Sequence, residues 1–428
     1  MKVLLLFSLA FTISVLGQSG KFFFISDWHL DPYYNPELGP DTYCQNQTAI
    51  IFNNSIPDSY FQQRNSEPDF TRIKLDRIPN FEFGQYGCDS PILLAQNALQ
   101  NMKNILPNPD FIIYSGDMSG HHLPTPESRF TAINDTTAMI AEAYPGVPIF
   151  PTLGNNDCYP DYYLNYWPRK VNDWLRKIWS SWGVFSGIPA DQEDNFTHGG
   201  FYVANFQNLS VICLNTIYVC GGHNPSWSAS TFPDPAGQFA WLNKTLLDIE
   251  LKGRSAYIIG HLPPDEYWHH DYVYSYNAIV KRFQNIIAAQ YFGHTHRDEL
   301  HLIVDAEFGG DALGFWLQTP SLTPKDSNNP GFRVVDYDLS NFKITDYTQY
   351  MSGTTQAQRN GNVTWYREYQ FSEVYGFPGG SSYIDTETVK NVILNIYENP
   401  ILYKLYKANY NCQYEDPESK LGDYCEMA

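Results

Sequence analysis

Short apolar segments bounded by glycine, proline or polar residues recur along the chain and predict buried strands. They lie at residues 22–25, 111–114, 147–153, 210–214, 256–259 and 287–292. Runs of this length and composition are typical of strands that are covered on both faces of a sheet. The chain has no internal repeat and no low-complexity tract. We therefore expect one continuous enzyme-sized core rather than a repeat array.

Between two of these segments the apolar positions change from strand spacing to helix spacing. Ser90 and Pro91 suggest an N-cap and a first helical residue for this helix. The residues that recur at helical spacing behind them are Leu94, Ala98, Met102 and Ile105. Strands that alternate with helices predict an α/β fold.

The pattern changes again after about residue 350. Glycine and serine are frequent over residues 376–382. Behind them, apolar residues recur at helical spacing, and Pro400 marks the end of this predicted helix. Its apolar face consists of Val389, Val392, Ile393 and Ile396. We predict a main domain over residues 18–350 and a helical C-terminal region over 351–428. The polar segment 36–85 has weak periodicity and is predicted to be a long loop ordered by a disulfide.

The charge balance excludes one large class of partner. Among 428 residues, 27 are basic and 46 acidic, so the formal net charge is −19. Such a surface repels both nucleic-acid backbone and anionic lipid, and we expect no binding of a nucleic-acid duplex. The seven cysteines are too few for a miniprotein held by disulfides, but they allow two or three bridges in an oxidising compartment.

The N-terminus indicates a secreted protein. Lys2 precedes an apolar stretch that ends near Gly17, which is typical of a signal peptide over residues 1–17 and is too short to span a membrane. No later segment is long enough, so we expect no transmembrane anchor. Asn-x-Ser/Thr sequons that would accept N-glycans lie at Asn46, Asn53, Asn134, Asn195, Asn208, Asn243 and Asn362. The sequence does not distinguish export from retention in lysosomes.

Polar residues with metal-binding side chains follow almost every predicted strand. These stretches are Asp27-Trp28-His29, Gly116-Asp117, Gly154-Asn155-Asn156-Asp157, Gly260-His261 and Gly293-His294-Thr295-His296. Ligands gather at the carboxyl ends of strands in α/β sheets, so we expect the side chains to meet at one site. We also expect the neighbouring glycines to let the backbone turn sharply there.

Imidazole, carboxylate and amide ligands without thiolate suit zinc, manganese or iron. Two such ions about 3.5 to 4 Å apart can clamp a phosphoryl group, which predicts phosphoester hydrolysis. Each motif alone is weak, because an isolated Asp-x-His or Gly-Asp is usually structural. Five of them in this order favour a metal site over chance.

The order of these motifs resembles that of the calcineurin-like metallophosphoesterases, and flanking residues are similar to the acid sphingomyelinase-like phosphodiesterase family. The flanking stretches are Cys88-Asp89-Ser90-Pro91, Asp234-Pro235-Ala236-Gly237-Gln238, Leu262-Pro263-Pro264, Arg297-Asp298-Glu299 and Asn329-Pro330-Gly331-Phe332-Arg333. The likeness covers the chain from about residue 21 to its end. It implies a metallophosphoesterase αββα sandwich of two mixed sheets with a helical C-terminal region.

The resemblance also implies a ligand set for two zinc ions per chain. The first ion would be held by Asp27, His29 and His296. The second would be held by Asn155, His261 and His294, and Asp117 would bridge the two. A hydroxide shared by two cations can stay deprotonated below the pKa of about 7 that is typical of water on one zinc, which allows activity in acid.

One residue departs from the family pattern. Where the family has a histidine that helps to protonate the leaving group, this chain has Asn156, which cannot supply a proton. His121 matches the family's other active-site histidine and becomes the candidate general acid, although a surface histidine beside His122 is the alternative. His269 and His270 follow the His261 loop and are weaker candidates for the wall of the substrate cleft.

Three functions stay open at this point. The first predicted strand follows the signal directly, so we expect no N-terminal lipid-presenting saposin domain. The substrate is then sphingomyelin, cleaved to ceramide and phosphocholine, or a soluble phosphodiester such as a nucleoside di- or triphosphate. The third possible function is that of a zinc-binding pseudoenzyme whose turnover is weakened by Asn156.

The cysteines divide into two predicted pairs and three remaining thiols. Cys412 and Cys425 resemble the terminal disulfide of the family, and Cys44 and Cys88 bracket the long insert after the first motif. The other three are Cys158, Cys213 and Cys220, whose pairing stays open. We expect Cys213, inside an apolar strand, to be a buried small apolar residue.

Overall fold

The computed structural model describes residues 19–48, 50, 80–165, 170–222, 232–305 and 310–413. The strands are β1 (Ser19–Ile25), β2 (Leu30–Asp31), β3 (Ser90–Pro91), β4 (Ile112–Tyr114), β5 (Ile149–Pro151), β6 (Tyr202–Phe206), β7 (Leu209–Cys213), β8 (Ser255–Ile259), β9 (Ile287–Phe292), β10 (Glu299–Val304), β11 (Ala312–Gln318), β12 (Gly331–Asp338), β13 (Ile344–Ser352) and β14 (Trp365–Gln370). Each of the six predicted segments contains a strand.

The helices interrupt the strands along the chain. They are α1 (Ile92–Ile105), α2 (Pro126–Ala143), α3 (Asp173–Trp182), α4 (Glu193–Gly199), α5 (Gln238–Leu251), α6 (His270–Phe283), α7 (Thr354–Asn360), α8 (Phe371–Val374), α9 (Thr386–Glu398) and α10 (Pro400–Tyr410). Within the described residues, none of these helices is both long and apolar enough to cross a membrane.

Two six-stranded mixed sheets form the core. The first has the order β14-β13-β12-β1-β4-β5, and the second has the order β10-β11-β9-β8-β7-β6. In the first sheet β1, β4 and β5 are parallel, and in the second β7, β8, β9 and β11 are parallel. Helix α5 packs on β8, and α6 and α9 pack on β11. The predicted α/β sandwich of two mixed sheets is confirmed.

Aromatic side chains join the two sheets face to face. Phe24 of β1 lies edge-on to Tyr291 of β9 with ring centroids 5.0 Å apart, and Phe22 lies 6.0 Å from Tyr257 of β8. All four rings are fully buried. Such pairs contribute about 0.5–1.5 kcal/mol each beyond the burial of their surface, so they fix how the sheets sit on each other.

The start of α1 differs from the prediction. Ser90 does not cap the helix, because its backbone N–H donates to the His29 carbonyl and its strand β3 pairs with β2. Pro91 takes the N-cap position with extended backbone, and α1 begins at Ile92. The predicted apolar face is correct, since Leu94, Ala98 and Met102 are buried there.

Up to residue 413, the C-terminal region is mostly helical but contributes strand β14. Strand β14 pairs with β13 and extends the first sheet. Helix α9 ends at Glu398, and Pro400 begins α10, as expected of a proline that stops one helix and starts another. The domain boundary at residue 350 stays a prediction.

The disulfide between Cys44 and Cys88 is present, with Cα atoms 5.9 Å apart. It confirms the predicted pair that closes the insert. Cys213 is buried in β7, as expected, and Cys158 is also buried. The signal peptide, most of the insert, Asn53 and Cys425 lie outside the described residues, so the predictions on them stay predictions.

Two partly buried carboxyls predict that the fold is more stable in acid than at neutral pH. Burial raises the pKa of Asp265 to about 6 and that of Glu368 to about 8. An acid whose pKa rises on folding stabilises the fold fully below its unfolded pKa of about 4, and this contribution is lost as the pH rises through the folded value. The unfolding temperature of chelator-treated protein should be at least ~2 °C higher at pH 5 than at pH 8. Glu368→Gln should reduce the difference between the unfolding temperatures at pH 5 and pH 8. An unfolding temperature that is higher at pH 8 than at pH 5 would contradict this prediction.

Candidate metal centre and active site

The seven predicted ligands meet in one buried cluster where the strands of both sheets end. Asp27 and His29 follow β1, and Asp117 follows β4. The remaining ligands are Asn155 after β5, His261 after β8, and His294 and His296 after β9. Six of the seven are buried, and His294 is partly exposed at the cleft.

Asp117 lies between two groups of side chains. Its Oδ2 atom is 3.1 Å from His261 Nε2 and 3.4 Å from His29 Nε2. On one side, His29 Nε2 is 2.9 Å from His296 Nε2, which is 3.6 Å from an oxygen of Asp27. A second set of ligand atoms from Asp117, His261 and His294 lies within 4.8 Å of one another. Asp117 therefore contacts both groups.

The tautomers of the histidines fit a cation at the centre. Nδ1 of His29 donates to the Ser119 carbonyl at 3.1 Å, and Nδ1 of His261 donates to the Ser115 carbonyl at 2.7 Å. These bonds direct the Nε2 atom of each ring into the cluster, where it could coordinate a cation. Nitrogen and oxygen atoms that converge in this way are the arrangement that a divalent cation satisfies.

The buried carboxylates of the cluster favour a positive charge beside them. Burial opposes ionisation of both aspartates, but His261 and His29 lower the pKa of Asp27 to about 2 and hold that of Asp117 well below its usual range. Against the effect of burial, the same carboxylates raise the pKa of His261 to about 9. Burial and the nearby His261 lower the pKa of His294 to about 3. A bound cation would take the place of the proton that the carboxylates draw to His261.

Five of the seven ligand positions have left-handed backbone although none is glycine. They are Asp27 (φ 52°), His29 (φ 43°), Asp117 (φ 58°), His294 (φ 82°) and His296 (φ 65°). Residues with a Cβ adopt this region only at a cost, and such outliers cluster at functional sites. The concentration of strain marks this cluster as the site of function.

The glycines beside the ligands have a different role from the one predicted. Gly116 has a positive φ of 95°, but Gly154, Gly260 and Gly293 do not. A Cβ at Gly154 would lie 2.0 Å from an oxygen of Asp117. The expectation of sharp glycine turns was therefore wrong for three of the four positions, where glycine permits close packing of neighbouring loops.

Asp157 supports the ligand loops and was not assigned a role from the sequence. Its carboxylate accepts backbone N–H groups of Asp117, Met118, Ser119 and Gly154 at 2.9–3.2 Å. Burial raises the pKa of Asp157 to about 6 against these donors. The sequence shows only that an acid, Asp157, ends the Gly-Asn-Asn-Asp stretch. The backbone groups that it binds can be identified only from the folded structure.

His121 lies beside the cluster and is oriented by Asp89. Nδ1 and the backbone N–H of His121 both donate to the Asp89 carboxylate at 2.7 Å. The ring stacks on His29 with centroids 3.9 Å apart. Burial opposes ionisation of Asp89, but His121 lowers its pKa. Cys88 of the disulfide precedes Asp89 directly, so the bridge helps to position this pair; the Cys-Asp-Ser-Pro stretch gave no hint of the contact.

Asn156 contacts Asp117 rather than open solvent. Its backbone N–H and its side-chain Nδ2 donate to the two oxygens of Asp117 at 2.7 and 3.0 Å. Its Oδ1 atom is buried without a hydrogen-bond partner among the described residues. Asn156 is among the residues that line the cleft.

The cluster opens into a cleft of about 640 Å³. The ring of Tyr267 stands at 88° to His294 with centroids 4.6 Å apart, and Tyr162 stands at 89° to it on another side. Two cationic side chains, Arg297 and Lys325, line the same cleft. Neither His269 nor His270 does; His270 lines a separate pocket of about 230 Å³.

A buried ion pair anchors the loop that carries His294 and His296. Arg333 of β12 donates to Asp298 at 2.6 Å and to the Gln318 carbonyl of β11 at 2.8 Å. Its exposed fraction is 0%. Because β12 and β11 belong to different sheets, Arg333 joins both sheets to the end of the ligand loop.

Comparison with known proteins identifies the family. The family model of calcineurin-like phosphoesterases matches residues 20–298, and that of the acid sphingomyelin phosphodiesterase C-terminal region matches residues 316–379. The chain is 32% identical to sphingomyelinase phosphodiesterase D of Dictyostelium discoideum, over 93% of this chain and 92% of that protein. It is 30% identical to human cyclic GMP-AMP phosphodiesterase SMPDL3A, over 83% and 75% of the two chains. It is 27% identical to human acid sphingomyelinase-like phosphodiesterase 3b, over 96% and 88%. The chain thus belongs to the calcineurin-like phosphoesterases, a family whose fold binds divalent metals, and within it to the acid sphingomyelinase-like phosphodiesterases.

Proposed function

We propose that the chain is a secreted, glycosylated phosphodiesterase that uses two zinc ions per chain to hydrolyse phosphodiesters, sphingomyelin among them. The observation that carries the proposal is the convergence of seven nitrogen and oxygen donors on one cluster that opens into a cleft. One ion would be held by Asp27, His29 and His296, and the other by Asn155, His261 and His294. Asp117 would help to hold both ions. Bound there, the ions would supply a hydroxide nucleophile and neutralise charge on the phosphoryl oxygens.

The residues of the chain perform the remaining steps. His121, held by Asp89, donates a proton to the leaving oxygen from its other ring nitrogen. Asn156 holds the Asp117 carboxylate in place through two hydrogen bonds and supplies no proton. Burial of six of the seven candidate ligands strengthens the electrostatic interactions among them.

Metal analysis and a substrate panel test the proposal. Secreted protein should contain two zinc ions per chain, lose activity with a chelator, and regain it with zinc. The panel compares sphingomyelin, a nucleoside triphosphate and a bis-aryl phosphodiester at pH 5 and pH 7. A zinc-binding pseudoenzyme would retain the metal and turn over none of them, which would overturn the hydrolase assignment.

A specific feature of the cleft favours nucleotides as the second candidate substrate class. Arg297 and Lys325 offer positive charge for additional phosphates, and Tyr162 and Tyr267 offer rings on which a base can stack. One relative in the family is named a cyclic GMP-AMP phosphodiesterase. Faster turnover of the nucleoside triphosphate than of sphingomyelin would favour this candidate.

Secretion and glycosylation have support in the sequence and in the positions of the sequons. The asparagines of five sequons are exposed at the surface: Asn46, Asn134, Asn208, Asn243 and Asn362. The disulfide between Cys44 and Cys88 suits an oxidising compartment. Recovery of the protein from medium, with a mass that falls after glycosidase treatment, would support both parts.

The rate should depend strongly on the leaving group, because the chain offers one candidate proton donor where the family pattern that it resembles has two. His121→Ala should lower turnover of alkyl phosphodiesters by about 10²–10⁴ and that of nitrophenyl esters by less than about tenfold. Asn156→His supplies a second proton donor and should weaken the dependence of the rate on the pKa of the leaving group. The measurement is kcat/KM against leaving-group pKa for wild type and both variants. Equal slopes for the wild-type protein and both variants would show that His121 does not protonate the leaving group.

A further inference from the structure

Two carboxylates at the edge of the cleft contact candidate metal ligands from outside the cluster. They belong to Asp161 and Asp326, which are exposed and line the cleft. Exposed acids are common on a chain of net charge −19, so exposure alone means little. What sets these two apart is that each contacts a buried ligand candidate. The two pairs are Asp161 with Asn155 and Asp326 with His296.

Asp161 determines which end of the Asn155 amide faces the cluster. Nδ2 of Asn155 donates to Oδ1 of Asp161 at 3.0 Å, and Oδ1 of Asn155 lies 3.0 Å from Nε2 of His261. A carboxylate has no proton to donate, so only the nitrogen end of the amide suits the side of Asp161. The amide oxygen, which is the end that binds cations, is thereby turned toward His261.

The loop that carries Asp161 is fastened to the ligand that it orients. The backbone N–H of Tyr162 donates to the Asn155 carbonyl at 3.2 Å, which closes the chain between these residues into a turn. The Tyr162 hydroxyl lies 3.4 Å from Nε2 of His294. Two consecutive residues therefore contact two of the ligands that would hold the same ion.

Asp326 lies behind His296 in a similar way. Oδ2 of Asp326 is 2.8 Å from Nδ1 of His296, while Nε2 of this ring is 2.9 Å from Nε2 of His29 in the cluster. The angle of the contact with Asp326 falls outside that of a hydrogen bond, so the buried Nδ1 has no hydrogen-bond partner among the described residues. A small rotation of the ring toward Asp326 would give this nitrogen an acceptor and keep Nε2 in the cluster.

Arg297, which directly follows His296, holds the loop of Asp326 in place. Its guanidinium donates to the backbone carbonyls of Asp326 at 2.6 Å and of Ser327 at 3.2 Å. The carboxylate is thus kept beside the histidine by the next residue of the ligand stretch. Its position does not depend on the freedom of an exposed side chain alone.

We propose that Asp161 and Asp326 are positioning residues, each of which orients one ligand of the candidate metal site. Asp161 holds Asn155 with its oxygen toward the cluster. Asp326 holds His296 with Nε2 toward the cluster. Replacing groups that hydrogen-bond to metal ligands typically lowers metal affinity by about 10–100-fold, because the ligand can then turn away. The inference rests on the proposed metal site but not on the hydrolysis of any substrate.

Zinc titration of the full chain in competition with a coloured chelator tests the inference. Asp161→Ala and Asp326→Ala should each weaken the affinity for one of two zinc ions by about 10–100-fold and leave the other ion bound. Asp161→Asn and Asp326→Asn keep an oxygen that can accept the hydrogen bond, so they should lose less than the alanine variants. The matched control is Glu266→Ala, which removes an exposed carboxylate next to the cleft residue Tyr267 and should bind zinc like wild type.

The unfolding temperature of chelator-treated protein separates positioning from support of the fold. It should be unchanged in both alanine variants, because exposed side chains contribute little to stability. A large decrease would show that the acid supports the fold instead. An alanine variant with wild-type affinity for both zinc ions would overturn the role of its carboxylate. Equal losses in the alanine and asparagine variants of one residue would also overturn it, since charge alone would then explain the effect.

The outcomes also distinguish this inference from the proposed function. A chain that binds two zinc ions, loses affinity in the alanine variants and hydrolyses no phosphodiester would keep the positioning role and refute the hydrolase. A wild-type chain that binds no zinc would overturn both.

Discussion

Replacing Asp117 with asparagine should lower phosphodiesterase turnover by about 10³-fold or more and reduce the metal content of the protein. Asp117 contacts both groups of ligands, and His261 and His29 hold it ionised. The neutral amide loses the charge that would attract both cations. Stabilisation of transition-state charge by metal ions amounts to several kcal/mol, and each 1.36 kcal/mol is about a factor of ten in rate.

The matched control is Asp173→Asn, which makes the same chemical change at an 88% exposed side chain on α3. It should leave turnover and metal content unchanged. Both proteins are compared by zinc content per chain and by kcat on an aryl phosphodiester. An Asp117→Asn variant with wild-type activity would refute the assignment of this cluster as the catalytic centre.

Arg333→Ala should lower the free energy of unfolding by about 3–5 kcal/mol. Arg333 is fully buried and is the cationic partner of Asp298, so its removal leaves a buried carboxylate that keeps the Tyr369 hydroxyl as a donor but has lost its counter-charge. It also removes a hydrogen bond to the Gln318 carbonyl that links the two sheets. The effect is measured as the shift of the urea midpoint of the metal-free protein.

A surface ion pair is the control for this variant. Arg367→Ala breaks a pair with Glu373 in which both side chains are about half exposed, and it should cost no more than about 1 kcal/mol. The double variant Arg333→Met/Asp298→Leu removes both buried charges and should recover much of the loss. A single Arg333→Ala variant as stable as the Arg367→Ala variant would show that the buried pair does not hold the sheets together.

The convergence of the candidate metal ligands could be predicted because it depends on local patterns. Each follows a short apolar strand, and the carboxyl ends of strands meet at one place in α/β sheets, so Asp27, Asp117 and His261 were expected to converge. The supporting residues could not be found this way. Asp157 and Arg333 act on loops and sheets that are distant in the sequence, and only the folded chain shows which backbone groups or carboxylates they reach.

Local signals also failed where two structures compete for one residue. Ser90 has the side chain of a good N-cap, but the ladder between β2 and β3 takes its backbone, so the helix begins later. At Gly154 the sequence suggested a sharp backbone turn, whereas the structure requires the absence of a Cβ because Asp117 occupies that space. In both cases a tertiary contact decided the outcome.

The left-handed backbone at five ligand positions has a consequence for how the protein matures. Each such residue costs about 1–2 kcal/mol, and the chain without cations bears that cost while the carboxylates of the cluster still lack divalent charge. Ligation that favours only the native arrangement adds its binding free energy to folding. Folding and uptake of the proposed cations would therefore be thermodynamically linked, so that the concentration of free metal would set how much of the chain is folded.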